Sequence, residues 1–151
     1  MDPEALRQVM EELIPFNKFL GVKAPLLSKS KVRLEIPFRD DLVGDWLRPA
    51  LHGGVMSALA DAAGGAAVWC LVDDERARVS TIDLRIDYLR PGTLELLVAE
   101  AHVVRMGNRV GVADVRLFSG SAPETTIATG KGVYNVSVRK AHPVPDTPGL
   151  S

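Results

Sequence analysis

From Val55 to Cys70 the chain is apolar or small at nearly every position. A helix of that kind has to be enclosed by other structure, so the run is read as a buried central helix. Gly64 and Gly65 lie inside it and cost about 1 kcal/mol each relative to Ala. Their presence predicts that something packs closely against that face. Asp61 is the one charged residue of the run, and a buried carboxylate is expensive unless it is paired, hydrogen-bonded or protonated. It is the first candidate for chemistry.

The flanking patterns differ. Asp2-Pro3 reads as an N-cap followed by Pro at the first helical position, and Leu6, Val9, Met10 and Leu13 recur at helical spacing, which predicts an amphipathic helix ended by Pro15. Phe16 to Leu27, interrupted by Gly21 and Pro25, reads as an extended or turning segment that covers the core. Val32, Leu34 and Ile36 alternate with Arg33 and Glu35, the period of a half-buried strand. Arg39 to Pro49 is a charged loop leading into the central helix. Beyond that helix Asp73 to Arg78 is a polar turn, and Ile82, Leu84, Ile86 and Tyr88 then alternate with Thr81, Asp83, Arg85 and Asp87 until Pro91-Gly92. Runs over Leu94 to Met106 and Arg109 to Phe118 flank Gly107-Asn108 and predict an antiparallel hairpin. After a turn over Ser119 to Glu124, Thr126 to Val138 closes the sheet with Ala128, Gly130, Gly132 and Tyr134 on one side, a small-residue face suited to a helix. The fold class is α+β: one domain over residues 1–140, an antiparallel sheet around a central helix, with a loose tail over 141–151 that contains three Pro.

A length of 151 residues is ample for one such core. The formal net charge of −1, with Lys and Arg spread along the chain, lacks the electrostatic footprint of a nucleic-acid partner. Met1-Asp2-Pro3-Glu4 has no signal-peptide character, and the central helix is too interrupted by Gly to span a membrane; a cytoplasmic protein is expected. Cys70 stands alone, which excludes an internal disulfide framework. His52, His102 and His142 are scattered without a Cys cluster, so no zinc ligand set is visible, and no metal or cofactor is expected.

The segments Leu51-His52-Gly53-Gly54-Val55-Met56-Ser57-Ala58-Leu59-Ala60-Asp61 and Thr81-Ile82-Asp83-Leu84-Arg85-Ile86-Asp87-Tyr88-Leu89-Arg90-Pro91 resemble the hotdog-fold acyl-CoA thioesterases, in particular the branch related to the phenylacetate-pathway thioesterase PaaI. The resemblance covers roughly residues 16 to 138, and it implies a helix wrapped by an antiparallel sheet. It also implies an acyl-CoA substrate, with Asp61 as the catalytic carboxylate, Gly53 as the oxyanion donor, His52 in the loop at the site and Thr81 at a hydroxyl position beside it. The family usually carries Asn or Gln about six residues before the His; here Trp46 stands there with Asp45 next to it, and which residue, if either, replaces the amide is open.

Those residue types suit thioester hydrolysis. The Gly53 amide belongs to the unpaired first turn of a helix, where the macrodipole favours developing negative charge. Gly53 and Gly54 let a thioester approach the backbone. A largely desolvated Asp61 would be a stronger base, able to activate water or to attack directly. Eight residues on one helix separate Gly53 from Asp61 by about 12 Å, whereas both must lie roughly 3 Å from the reacting carbonyl. One chain cannot supply both, so the expected unit is a homodimer with antiparallel helices and shared sites, and a homotetramer is a further option. Ser57 shares the face of Asp61, and Gly64 and Gly65 are read as continuing that stripe toward the partner helix. Arg90, Arg105 and Arg109 are candidates for CoA phosphates. The rival readings are a non-catalytic acyl-CoA binding module on the same fold and a hotdog hydratase or dehydratase.

Overall fold

A computed structural model describes residues 1–74 and 76–138; the expected tail over 141–151 lies outside them. Helix α1 (Pro3–Gln8) opens on Asp2, whose carboxylate accepts the Ala5 amide at 3.0 Å, and runs into a π-helical turn over Val9–Leu13. Pro15 does more than end this unit. It occupies the first turn of a second helix, α2 (Pro15–Leu20), where its missing N–H is harmless. Gly21 closes α2 in the left-handed region, with φ 75. Strand β1 (Lys23–Leu27) follows. The segment expected to be extended or turning is therefore a helix and a strand. Its helix buries only Asn17 and Leu20, too few positions to register as a periodic pattern.

Glu11 fastens this N-terminal segment to the sheet by accepting the Ala24 amide at 2.9 Å and the Lys23 ammonium at 3.2 Å. Partial burial opposes its ionisation, but these partners prevail and hold the carboxyl below its ordinary 4.5. A depressed folded-state value contributes stability above the unfolded value and loses it as pH falls through the folded one. The gap in thermal midpoint between wild type and Glu11→Gln is thus expected to close as pH drops below 4.5; a gap independent of pH would sink this account.

Strand β2 (Val32–Ile36) leads to a 3-10 turn over Asp40–Leu42 and a small hairpin of β3 (Val43–Asp45) and β4 (Ala50–Leu51). The central helix α3 (Gly53–Cys70) comes next, then β5 (Ala77–Tyr88), β6 (Leu97–Met106), β7 (Val110–Ser119) and β8 (Thr126–Val138). The main sheet has the order β1-β2-β6-β7-β8-β5, antiparallel throughout. It packs on α3 through Leu34, Leu97, Ala99 and Leu117 against Leu59 and Ala63, all fully buried. The β5 strand begins at Ala77, inside the segment expected to be a polar turn, and β6 starts at Leu97.

The inward face of β8 consists of Ala128, Gly130, Gly132 and Tyr134, all buried. Tyr134 is 1% exposed. Its ring lies between two glycines: a Cβ on Gly64 would stand 2.9 Å from Cζ, and one on Gly132 would stand 2.5 Å from the same atom. This is the close packing that the glycines in the helix predict. It also corrects the expected orientation of Gly64, which faces the chain's own Tyr134 and not a partner helix. Gly64→Ala would regain about 1 kcal/mol of helix propensity. Overpacking would cost about 1–3 kcal/mol, and displacing the tyrosine would forfeit a hydrogen bond of roughly 0.5–1.5 kcal/mol. A net loss of about 1–3 kcal/mol is expected as a lower urea midpoint; a variant as stable as wild type would contradict the packing.

The sheet does not enclose α3 on every side. Gly54 is exposed, and Ser57, Ala58, Asp61, Ala62, Gly65 and Trp69 are only half-buried, at helical spacing. One stripe of the helix is thus left open by its own chain. No helix among the described residues is long and apolar enough to cross a membrane.

Candidate active site

The start of α3 is pinned on three sides. The Leu51 amide donates to the Gly92 carbonyl at 3.0 Å and the His52 amide to the Leu42 carbonyl at 2.8 Å, and Gly44 of β3 lies so close that a Cβ there would stand 2.6 Å from the His52 Cα. His52 is the N-cap residue: its Nδ1 accepts the Gly54 amide at 2.8 Å, which leaves the proton of the neutral ring on Nε2. With Gly54 engaged, the Gly53 amide has no hydrogen-bond partner among the described residues. A free donor at the positive end of an 18-residue helix favours an oxygen that carries negative charge.

Tyr88 was visible in the sequence only as the last apolar position of a strand. Its ring lies against Gly53, 3.4 Å from where a Cβ would be. Its hydroxyl donates to the Gly53 carbonyl at 3.0 Å and shares a hydrogen bond with Ser57. Together these contacts fix the first turn of α3. Ser57 is thereby committed to Tyr88.

Asp61 lies two turns further along. Its Oδ1 accepts the Thr81 hydroxyl at 2.8 Å. A strictly alternating β5 would turn Thr81 away, but the strand carries a bulge: Thr81 pairs with Tyr134 and Asp83 with Val133, so Ile82 is the extra residue. Residues opposite the inward positions of β8 are Val79, Thr81, Leu84, Ile86 and Tyr88. Ile82, expected on the core face, is expelled from it and is 57% exposed. Tyr134 completes the setting by donating to the Asp61 carbonyl at 3.1 Å. Burial, and then the negative charge of Asp61, push its hydroxyl well above the usual range, so it remains a donor. Within one chain Asp61 is half-buried, not largely desolvated as expected, because it sits on the open stripe of α3.

A cavity of about 270 Å³ runs from Asp61 and Thr81 along the open stripe past Gly65 to Trp69, roofed by Met10 and Ile14 of the N-terminal segment. A wider depression of about 700 Å³ lies on the outer face of the sheet. There Arg85 pairs with Asp87, Lys131 with Asp114, and Arg116 with Glu100. No residue of α3 reaches it, so the smaller cavity is the candidate site.

The remaining expected residues stand apart from this cavity. Asp45 spends Oδ1 on the Leu47 and Arg48 amides at 2.9 and 3.0 Å. Trp46 is 83% exposed at the tip of the β3–β4 hairpin. Arg90 donates to the Thr126 carbonyl at 2.7 Å, which ties down the end of β5. No cluster of metal-ligating side chains occurs among the described residues.

A family model described as the thioesterase superfamily matches residues 49–125, the stretch from β4 through the β7–β8 turn. This chain belongs to the thioesterase superfamily. Its relatives agree. It is 35% identical over 150 residues to a protein of Escherichia coli (strain K12) named medium/long-chain acyl-CoA thioesterase YigI, with 88% of this chain and 94% of that protein covered. A Halobacterium salinarum protein named as an esterase is 39% identical over 129 residues, covering 78% and 82%. Among solved structures, a thioesterase family protein from Silicibacter pomeroyi superposes with a TM-score of 0.81 at 25% identity, covering 90% of this chain and 98% of the other. A thioesterase-related protein from Shewanella oneidensis gives 0.79 at 30%, covering 89% and 94%. The thioesterase is accordingly a thioester hydrolase with the hotdog fold, α+β, as the sequence resemblance implies.

Proposed function

We propose that this thioesterase hydrolyses an acyl-CoA with a medium-length or aryl acyl group, working as a homodimer in which the Gly53 amide of one subunit and Asp61 of the other share one thioester. The free Gly53 amide at the head of α3 carries the reading. It would donate a hydrogen bond to the oxyanion of the tetrahedral intermediate, while Asp61, oriented by Thr81, would activate water or attack the carbonyl. His52 acts on the first turn by consuming the Gly54 amide, which leaves Gly53 as the one outward donor of the pair.

Two observations support the shared site. The β5 strand is 12 residues long, pairs on one side with β8 and forms the edge of the sheet. An edge of that length, with Ile82 and Tyr88 exposed, is a template for pairing with another strand. Pairing with its own copy about a two-fold axis would run the two α3 helices antiparallel and cover the open stripe. This meets the requirement that Gly53 and Asp61, about 12 Å apart on one helix, come from different chains. The acyl class rests on relatives, because the cavity of about 270 Å³ beside Asp61 lies along the stripe that the second copy would cover. One related protein is named for medium/long-chain acyl-CoA, and an Arabidopsis thaliana relative, 29% identical, is named 1,4-dihydroxy-2-naphthoyl-CoA thioesterase 2.

The test is release of free CoA thiol from a panel of aryl, short, medium and long acyl-CoA esters. Turnover is expected to peak with aryl and medium-chain esters and to fall at both ends. Tight binding of those esters without thiol release would replace this reading with that of a binding module.

A further inference from the structure

Two adjacent glycines open α3, and neither has a side chain to restrict how the Gly53 amide is aimed. The peptide that joins them is gripped at both ends instead. Its N–H, on Gly54, donates to His52 Nδ1 at 2.8 Å, and its C=O, on Gly53, accepts the Tyr88 hydroxyl at 3.0 Å. The two grips come from different elements, since His52 caps the helix and Tyr88 ends β5. Tyr88 is anchored in turn: the Leu89 and Arg90 amides that follow it donate to the Ile127 carbonyl at 2.9 and 3.0 Å. The direction of its hydroxyl proton follows by elimination. A carbonyl can only accept, and a phenol has one proton to give. Ser57 therefore donates to the Tyr88 oxygen, and Tyr88 donates to Gly53.

Building on the proposed thioesterase site, we infer that Tyr88 is a positioning residue for the reaction: by holding the Gly53–Gly54 peptide it aims the neighbouring Gly53 N–H at the oxyanion, and Ser57 keeps its hydroxyl turned to that carbonyl. The peptide on the other side of Gly53 is held through its own carbonyl, since the His52 C=O accepts the Val55 amide at 3.0 Å. With the peptides on both sides fixed, φ and ψ of Gly53 are fixed too, and its free N–H keeps one direction. A donor aimed in advance stabilises developing charge without reorganising during the reaction. The phenol ring alone does not supply this, because its contact with Gly53 leaves the carbonyl ungripped.

The experiment compares wild type, Tyr88→Phe, Gly53→Pro and the double variant for kcat and KM of thiol release on the best ester of the panel, together with solvent exchange of the Gly54 amide read by NMR. Tyr88→Phe keeps the ring and deletes the hydroxyl. It is expected to lower kcat by about tenfold with KM little changed, a misaimed donor costing less than a missing one. In the Gly53→Pro background the same substitution should cost less than about twofold, because no amide is left to aim. A merely structural role would lower the rate by the same factor in both backgrounds. Equal factors, or Tyr88→Phe within about twofold of wild type, overturn the inference. Exchange of the Gly54 amide should rise by about threefold or more in Tyr88→Phe while the rest of α3 is unchanged. If wild type releases no thiol, the hydrolytic reading falls, and this exchange alone decides whether Tyr88 holds the peptide; unaltered exchange says it does not. Ser57→Ala, expected to act in the same direction with a smaller loss of kcat, decides if Tyr88→Phe fails to fold.

Discussion

Asp61→Asn is expected to lower kcat by about a hundredfold or more, the magnitude for loss of a positioned acid/base group, with little change in KM. The substitution is nearly isosteric. Thr81 donates to Asp61 Oδ1, an atom that the amide retains as an acceptor, and Tyr134 holds the main-chain carbonyl and not the side chain. Neither contact has to be given up, so the thermal midpoint should stay near that of wild type. What the amide cannot do is take a proton from water or form a mixed anhydride with the acyl group. Measuring kcat on the best ester of the panel checks this; a folded variant within about threefold of wild type would remove Asp61 from the chemistry. Single turnovers in heavy-oxygen water then separate the two routes, because only direct attack places the label in the Asp61 carboxylate when the anhydride opens at the enzyme side.

Mixing two dead subunits should restore activity. Gly53→Pro removes the one unpaired amide at the first position of α3, where Pro is well tolerated, and loss of an oxyanion donor is expected to cost about 10²–10³ in kcat. If each site joins Gly53 of one chain to Asp61 of the other, a dimer of one Gly53→Pro subunit and one Asp61→Asn subunit contains one doubly disabled site and one intact site. Random co-assembly of equal amounts should then recover about a quarter of wild-type activity, since half of the dimers are mixed and each has one working site of two. Sites confined to one chain would give no recovery at any ratio. Co-expression with two affinity tags, followed by thiol release on the doubly purified species, distinguishes the two cases without relying on the oligomeric state alone.

Much of this architecture was readable in the sequence, because burial and period leave strong marks. The all-round apolar run gave α3, the small-residue alternation of β8 gave its helix-facing side, and Gly107-Asn108 gave the β6–β7 hairpin. The N-terminal segment was less legible. Helix α2 is six residues long, and its exposed Phe16 and Phe19 stack on one another, which scrambles any apolar period. The bulge in β5 was the least legible feature. Ile82, Leu84, Ile86 and Tyr88 form an unbroken alternation in sequence, and only pairing with β8 shows that Ile82 is skipped. That one irregularity decides whether Thr81 reaches Asp61. Tyr88 and Tyr134 were not legible as contacts of α3 for a shared reason: aromatic side chains at apolar positions look like core until their polar atoms are counted.

The tyrosine wedged between α3 and β8 has a consequence for descent. Gly64, Gly132 and Tyr134 come from two elements far apart in the chain, yet a change at any one of them disturbs the packing of the others. A side chain at either glycine evicts the ring, and a smaller residue at 134 leaves a hole that both glycines were shaped around. A lineage can therefore leave this arrangement only through a step that is worse than either end. The three positions should pass together through families of this fold, kept as Gly-Gly-Tyr or replaced as a set. Because the tyrosine hydroxyl rests on the Asp61 carbonyl, an exchange of the set would re-seat the Asp61 turn at the same time.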